Sequence, residues 1–172
     1  MRIVVGIYIR APIEELDRFV QNPKLLRRLD PRVALADGRA LDLGRRWEEL
    51  GCLLDGGISS PRSGPTVGDT PLTSDDDVVW NMVAPDRVKV LAAELRRMSR
   101  EAFHGLYRVD EDETADAAPG ERTAQVLDHA TYLWQKFLLL RQHYAEAARR
   151  GEAVLVRIGE RPYDDDTPDS HR

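Results

Sequence analysis

A single long amphipathic helix, predicted over residues 125–150, constrains the fold of this chain more than any other feature. Apolar or small side chains recur in alternating steps of four and three residues, a spacing that keeps them on one face of a helix. They are Val126, Ala130, Leu133, Phe137, Leu140, Tyr144 and Ala147. At about 1.5 Å per residue the helix is about 39 Å long, and a compact domain of 172 residues is about 40 Å across. The other elements must therefore pack along this helix.

Three short runs of β-branched and apolar residues predict the strands of a sheet. They cover residues 2–10, 78–83 and 153–158. Apolar residues at helical spacing predict shorter helices near Pro12, Arg45, Pro85 and Ser99. The elements together predict one α+β domain over residues 1–160, in which a small mixed β-sheet packs against several helices, including the long C-terminal one.

The negative charge of the chain is concentrated in two segments. Residues 108–118 carry five acids against one arginine, and residues 160–172 carry five acids against two arginines. The two segments carry −4 and −3, or −7 together. Because the net charge of the chain is −5, the rest of the chain carries +2. We predict that residues 108–118 and the acidic tail 161–172 are disordered. A near-neutral body without a concentrated basic face argues against nucleic-acid binding.

The sequence offers little for disulfides, metals or membranes. Cys52 is a single cysteine, so it cannot form a disulfide within the chain or a metal site built on several cysteines. No apolar run approaches the roughly 18 residues of a membrane span. Metal-binding spacings are missing from the four histidines, which are His104, His129, His143 and His171. We therefore expect a soluble cytoplasmic protein with no metal, no cofactor and no membrane contact.

A basic flank borders the apolar face of the long helix. Reading the helix in heptads places four residues on this flank, namely His129, Lys136, His143 and Arg150. The flank either docks an acidic partner or is a solvated edge of the helix. The flank on the other side of the apolar face is not a charged line, because it consists of Leu127, Trp134, Arg141 and Ala148. This argues against a two-stranded coiled coil and favours a helix packed under a sheet.

Apolar side chains also extend beyond the main apolar face in the middle of the long helix. Trp134, Leu138 and Leu139 make this part of the helix apolar nearly all round. They are either buried on two sides within the domain or form a surface for self-association. With the basic flank, this gives a candidate partner surface for another protein or a second copy of the chain. Its residues are His129, Trp134, Lys136 and His143.

Several short motifs occur in a set order along the chain. Leu41-Asp42-Leu43 precedes a helix with Trp47, Leu50, Leu53 and Leu54 at spacings of three and one. A strand then runs into Pro85, which begins the next helix. The long helix ends before Ala153-Val154-Leu155. This order resembles the YfbM-like family, a group of small bacterial cytoplasmic proteins classed as a domain of unknown function. The resemblance spans most of residues 1–158 and implies an α+β fold, but it supplies no activity.

The chain also departs from the family pattern in two places. Gly51-Cys52 replaces the polar or aromatic pair that is usual after the tryptophan motif. Residues 75–80 replace a stretch in which family members often carry a tyrosine-glycine-proline motif. If the family binds a ligand at that stretch, we do not expect this chain to share the site.

The sequence contains no nucleophile elbow, phosphate-binding loop or dinucleotide fingerprint. We therefore expect a non-enzymatic protein-binding module, for which an antitoxin-like or immunity-like role would suit a small acidic protein. The alternative is a small enzyme whose active site forms between the Trp47 helix and a predicted loop over residues 58–77, rich in Pro, Ser, Thr and Asp. The candidate pocket for this enzyme is Asp42, Trp47, Glu48, Glu49 and Trp80. No catalytic residue can be assigned from the sequence.

Overall fold

A computed structural model describes residues 3–54, 64–75, 77–107 and 119–161 of the chain. Five strands form one sheet, and they are β1 (Val4–Ala11), β2 (Ala40–Gly44), β3 (Thr70–Asp75), β4 (Val78–Val83) and β5 (Ala153–Glu160). Their order across the sheet is β2-β1-β5-β4-β3. Each neighbouring pair is antiparallel. The strand that follows the long helix therefore lies at the centre of the sheet.

The helices pack on both faces of this sheet. They are α1 (Ile13–Gln21), α2 (Pro31–Ala36), α3 (Arg46–Leu54), α4 (Pro85–Arg97), α5 (Arg100–Leu106) and α6 (Pro119–Arg150). A short 3-10 helix, Pro23–Arg28, follows α1. The α+β class predicted from the sequence is confirmed.

Alternation along β1 shows why the domain has three layers. Successive side chains of a strand point to opposite faces, so Tyr8 and its neighbours Ile7 and Ile9 enter different cores. The α6-side core joins Tyr8 to buried residues of α3, α4, α5 and α6. The α1-side core joins Ile7 and Ile9 to Leu16, Phe19 and other buried residues of the first three helical segments. The sheet therefore separates two apolar cores.

The long helix α6 is confirmed and is longer than predicted. It begins at Pro119, six residues before the predicted start at residue 125, and it ends at Arg150 as predicted. Phe137, Leu140 and Tyr144 on its apolar face are fully buried in the α6-side core. Gly151 ends the helix with a φ of 69°, a left-handed conformation that glycine adopts without the steric cost of a Cβ atom.

The sheet differs from the prediction in size and in strand direction. It has five strands instead of three, and its pairings are antiparallel rather than mixed. The sequence does not predict β2, because the strand has only five residues and ends at Gly44, just before the helix predicted near Arg45. β3 falls within the predicted loop because it contains Pro71, which is tolerated here because β3 is an edge strand. Of the predicted disordered tail 161–172, Arg161 is described, and its N–H donates to the Ile3 carbonyl at 3.2 Å. Residues 108–118 and 162–172, and residues 58–63 and 76 of the predicted loop, lie outside the described residues.

Candidate functional site

A concave groove lies between α4 and α6. The two helices pack side by side on the sheet, and residues of both line a cavity of about 780 Å³. Its lining comprises Lys89, Ala92, Ala93, Arg96, Leu138, Arg141, Gln142, Ala145, Ala148 and Arg149. The volume falls within the range of about 300–1,000 Å³ that is common for binding pockets. The groove is therefore large enough to take part of another molecule.

The charged residues that line the groove are all positive. Lys89 and Arg96 come from α4, and Arg141 and Arg149 come from α6, whereas the described lining contains no Asp or Glu. Two of these cations have acidic neighbours on their own helix, because Lys89 Nζ lies 3.2 Å from Asp86 and Arg149 bonds to a glutamate one turn earlier. The groove is thus a basic surface on a chain whose net charge is −5.

Aromatic packing explains how one wall of the groove is held. Trp134 of α6 packs against Phe103 and Phe137, with ring centroids 5.3 Å and 5.0 Å away. The Arg141 guanidinium lies over the same two α6 rings, 5.8 Å from the centroid of Trp134 and 5.9 Å from that of Phe137. Trp134 is therefore half-buried against the core. It contacts Arg141, which lines the groove. Leu138 lines the groove, and Leu139 is 44 % exposed.

The predicted basic flank of α6 is not one continuous surface. His143 is 9 % exposed and its Nε2 has no hydrogen-bond partner among the described residues. Burial, together with the positive charge of Arg10, lowers the pKa of His143 from 6.5 to about 3, so the imidazole is neutral near pH 7. The expectation that His143 would face a partner is wrong, because this side of α6 lies against the end of β1 that carries Arg10.

A polar cluster between α3 and α6 brings together residues from both predicted sites. Glu49 Oε2 lies 2.7 Å from His129 Nε2, and Glu49 also pairs with Arg46. Tyr132 lies between two cations, with its ring centroid 5.5 Å from the Arg46 guanidinium and 5.4 Å from Lys136 Nζ. His129 and Glu49 are each about one-third exposed. The cluster therefore links α3 to α6 at the surface of the domain.

The five residues of the predicted pocket do not converge. Trp47 packs at the edge of the α6-side core, whereas Trp80 is buried in the α1-side core on the opposite face of the sheet. Asp42 accepts a hydrogen bond of 2.7 Å from the Gly44 N–H, and Glu48 is exposed. Alternation along β4 directs Trp80 to the α1-side core, and no strand is predicted at Asp42 from the sequence. Within the described ranges, no group of three or more His, Cys, Asp and Glu side chains could hold a metal ion.

Residues 65–67 of the predicted 58–77 loop are anchored on the α6 side of the sheet. Three side chains donate hydrogen bonds to three consecutive backbone carbonyls: Tyr144 to Pro65 at 2.9 Å, Tyr8 to Thr66 at 2.8 Å and Asn81 to Val67 at 2.8 Å. Pro65 and Thr66 are buried. Backbone groups in a buried loop need such partners, since water cannot reach them. Sequence patterns do not reveal this anchor, because the donors lie far from the loop along the chain.

Replacing Tyr144 by phenylalanine should destabilise this anchor. The substitution removes the hydroxyl that donates to the Pro65 carbonyl and leaves a buried acceptor unsatisfied, which costs about 1–3 kcal/mol. Tyr132→Phe on the same helix is a matched control. Tyr132 is only partly buried, so water can take the place of its hydroxyl beside Arg46. Urea unfolding of both variants gives the comparison, and equal losses of free energy of unfolding would contradict the anchoring role.

The fold and the groove define a three-layer α+β domain that presents a basic groove between two helices. The chain belongs to the family described as a domain of unknown function, DUF1877, whose sequence model matches residues 4–157. It is also similar to the crystal structure of YfbM, a protein of unknown function from Escherichia coli. That similarity has a TM-score of 0.64 at 16 % sequence identity, and it covers 90 % of this chain and 99 % of that one. The resemblance to the YfbM-like family is confirmed.

These comparisons establish the family and the fold. At 16 % identity the likeness to YfbM bears on the fold alone. A search of curated proteins gives no match. Among the described helices, none is long and apolar enough to cross a membrane.

Proposed function

We propose that this protein is a cytoplasmic, non-enzymatic protein-binding module whose partner docks in the groove between α4 and α6. The groove itself is the observation that carries the proposal. Half of its lining is apolar, consisting of four alanines and Leu138, which form the floor, and each of the two helices adds two cations to the lining. An apolar centre surrounded by a polar rim is the usual anatomy of a protein interface. An antitoxin-like or immunity-like protein, which covers the surface of its partner, is the form of module we propose.

The groove is a better candidate than the partner surface chosen from the sequence. That surface required His143 to be accessible, but His143 is buried. It also required His129 to be available, whereas His129 bonds to Glu49 within the domain. Lys136 lies over the ring of Tyr132. By contrast, Ala145 is exposed on the groove floor and has no side-chain function within the domain that its replacement would remove.

Filling the groove tests the proposal. Ala145→Trp places a large ring in the groove at an exposed helical position, so the domain should still fold. Val33→Trp is the matched control, because Val33 is 56 % exposed and lies on α2, which packs on β1 and β2 away from the groove. We expect the wild type and Val33→Trp to recover the same partner from native cells, and Ala145→Trp to recover less than about one-tenth as much.

The purified partner should then bind the wild-type protein directly in calorimetry and show the same loss with Ala145→Trp. Equal recovery by the two tryptophan variants would place the interface elsewhere. Failure of the wild type to retain any protein would count against the binding module as a whole.

The alternative of a small enzyme is favoured by one observation, the Glu49–His129 pair. A carboxylate bonded to an imidazole orients the ring and can support general acid–base chemistry. Two further ring systems are close, since the Tyr107 and Tyr132 rings lie 5.7 Å and 6.5 Å from the His129 ring. A stoichiometric small molecule that copurifies with the protein, persists in Ala145→Trp and is lost in His129→Asn would favour the enzyme over the binding module.

A further inference from the structure

We infer that the occupant of the groove is an amphipathic helix of the partner with acidic residues on both sides of an apolar ridge. This inference rests on the proposed function and adds the chemistry of the partner. The occupant is a helix of another protein, and it is neither a basic segment nor a simple anion.

The negative charge of the partner helix follows from the positive charge on both walls of the groove. Lys89 and Arg96 are seven residues apart on α4, which places them on the same side of that helix about two turns apart. Arg141 and Arg149 are eight residues apart on α6, a spacing of about 12 Å along the axis. Although Lys89 and Arg149 have acidic neighbours on their own helices, an occupant lying between the helices meets cations contributed by both of them. Acidic side chains at spacings of about two turns on each edge would complement this arrangement.

The shape of the floor favours a helix over a small anion. The part of α6 that lines the groove runs from Leu138 to Arg149, which is about 17 Å or three helical turns. Alanines at four floor positions leave the space that a helix needs to approach two others at an interaxial distance of about 8–10 Å. A phosphate-sized anion would need converging donors at one point and would gain nothing from an apolar floor.

Arg141 provides the most ordered contact for such a helix. Its guanidinium lies over the rings of Trp134 and Phe137, so its position is largely set before a partner binds. Holding a side chain in its bound position reduces the entropy that is lost on binding. We therefore expect Arg141 to contribute more to acidic recognition than Lys89, whose side chain is 59 % exposed.

A display library with the full-length chain tests the inference. Each helix in the library is about 14 residues long, has a fixed apolar ridge and is randomised at both flanking lines among Asp, Glu, Lys, Arg, Gln and Ser. Against the wild type we expect Asp and Glu to be enriched at the flanks, and the best helix to bind about tenfold more weakly when the salt rises from about 0.05 to 0.5 M. Against Arg96→Glu/Arg141→Glu we expect Lys and Arg to be enriched. Because that variant gains a preference, a folding defect cannot imitate the result.

Other outcomes would overturn the inference. Enrichment of neutral or basic flanks by the wild type would contradict the charge argument, as would a failure to enrich any helix. Inorganic polyphosphate is the second probe, and its binding with equal strength to the wild type and Ala145→Trp, together with failure to enrich helices, would indicate a plain anion site. The proposed function would still stand if Ala145→Trp lost a captured protein partner while the library gave no acidic helix, so the two failures are distinguishable.

Discussion

Replacing Arg10 by methionine is expected to lower the free energy of unfolding by about 3–5 kcal/mol. Arg10 lies in β1 with 7 % of its surface exposed. One guanidinium nitrogen donates 2.7 Å to the Gly38 carbonyl, and the other lies 3.4 Å from the Glu152 carboxylate and 3.6 Å from that of Glu146. Methionine fills a similar volume but leaves the largely buried Glu152 carboxylate without its counter-charge. The loss of this compensation is the main source of the expected destabilisation.

Urea unfolding followed by circular dichroism at pH 7 gives the measurement. Arg39→Met is the matched control, since Arg39 pairs with Glu15 at 3.0 Å but both side chains are about 30 % exposed, and such pairs contribute about 0–1 kcal/mol. The double variant Arg10→Met/Glu152→Gln should recover part of the loss, because it removes the uncompensated charge. Equal effects of Arg10→Met and Arg39→Met would show that the buried pairing contributes little.

The elements that could be predicted from the sequence have either a long periodic pattern or a residue, such as a proline, that marks where they begin. The apolar face of α6 spans more than five turns, and the start of α4 is marked by Pro85 after a β-rich run. Patterns of this kind survive tertiary packing because many residues support them. The sequence does not predict the start of α6, because residues 119–124 carry a proline, a glycine and polar side chains.

The elements that could not be predicted are short and depend on neighbours distant in sequence. β2 has five residues, and its pairing with β1 is broken by a register shift between Gly6 and Ile7. β3 contains a proline and pairs only at the sheet edge. Local propensity is weak in such strands, and pairing with the rest of the sheet decides them.

The candidate site shows the same division between local and long-range information. The sequence pattern places Leu138 on an apolar extension of α6, but nothing in it indicates that Lys89 and Arg96 of α4 stand opposite. Helical periodicity alone places His143 on a flank beside the apolar face of the helix. Periodicity fixes which residues share a face, whereas the burial of that face depends on where the sheet lies. A lone histidine among apolar neighbours such as Leu140 and Tyr144 was the available signal for burial.

Acid should destabilise the protein through His143 before most carboxylates are protonated. In the unfolded chain His143 has a pKa near 6.5, whereas burial and the nearby Arg10 lower its pKa to about 3 in the native state. Between these values the unfolded state binds one more proton than the native state, so stability rises with pH and falls on acidification. We expect this residue to remove about 1.4 kcal/mol of stability for each pH unit below 6.5, or about 3 kcal/mol by pH 4.5.

His143→Gln isolates this contribution, because glutamine does not titrate. We expect the difference in free energy of unfolding between the variant and the wild type to shift by about 3 kcal/mol in favour of the variant between pH 8 and 4.5. The imidazole proton resonances of His143 should stay constant from pH 8 to about pH 4.5. The charge that acts on His143 is that of Arg10. Glu146 follows His143 by one turn of α6, and its pKa is lowered to about 2 by its bonds to Arg149 and Arg150. Because Glu146 stays ionised over this range, acid sensitivity that persists in His143→Gln would have to come from other carboxylates, and an NMR titration of His143 near pH 6.5 would contradict its burial.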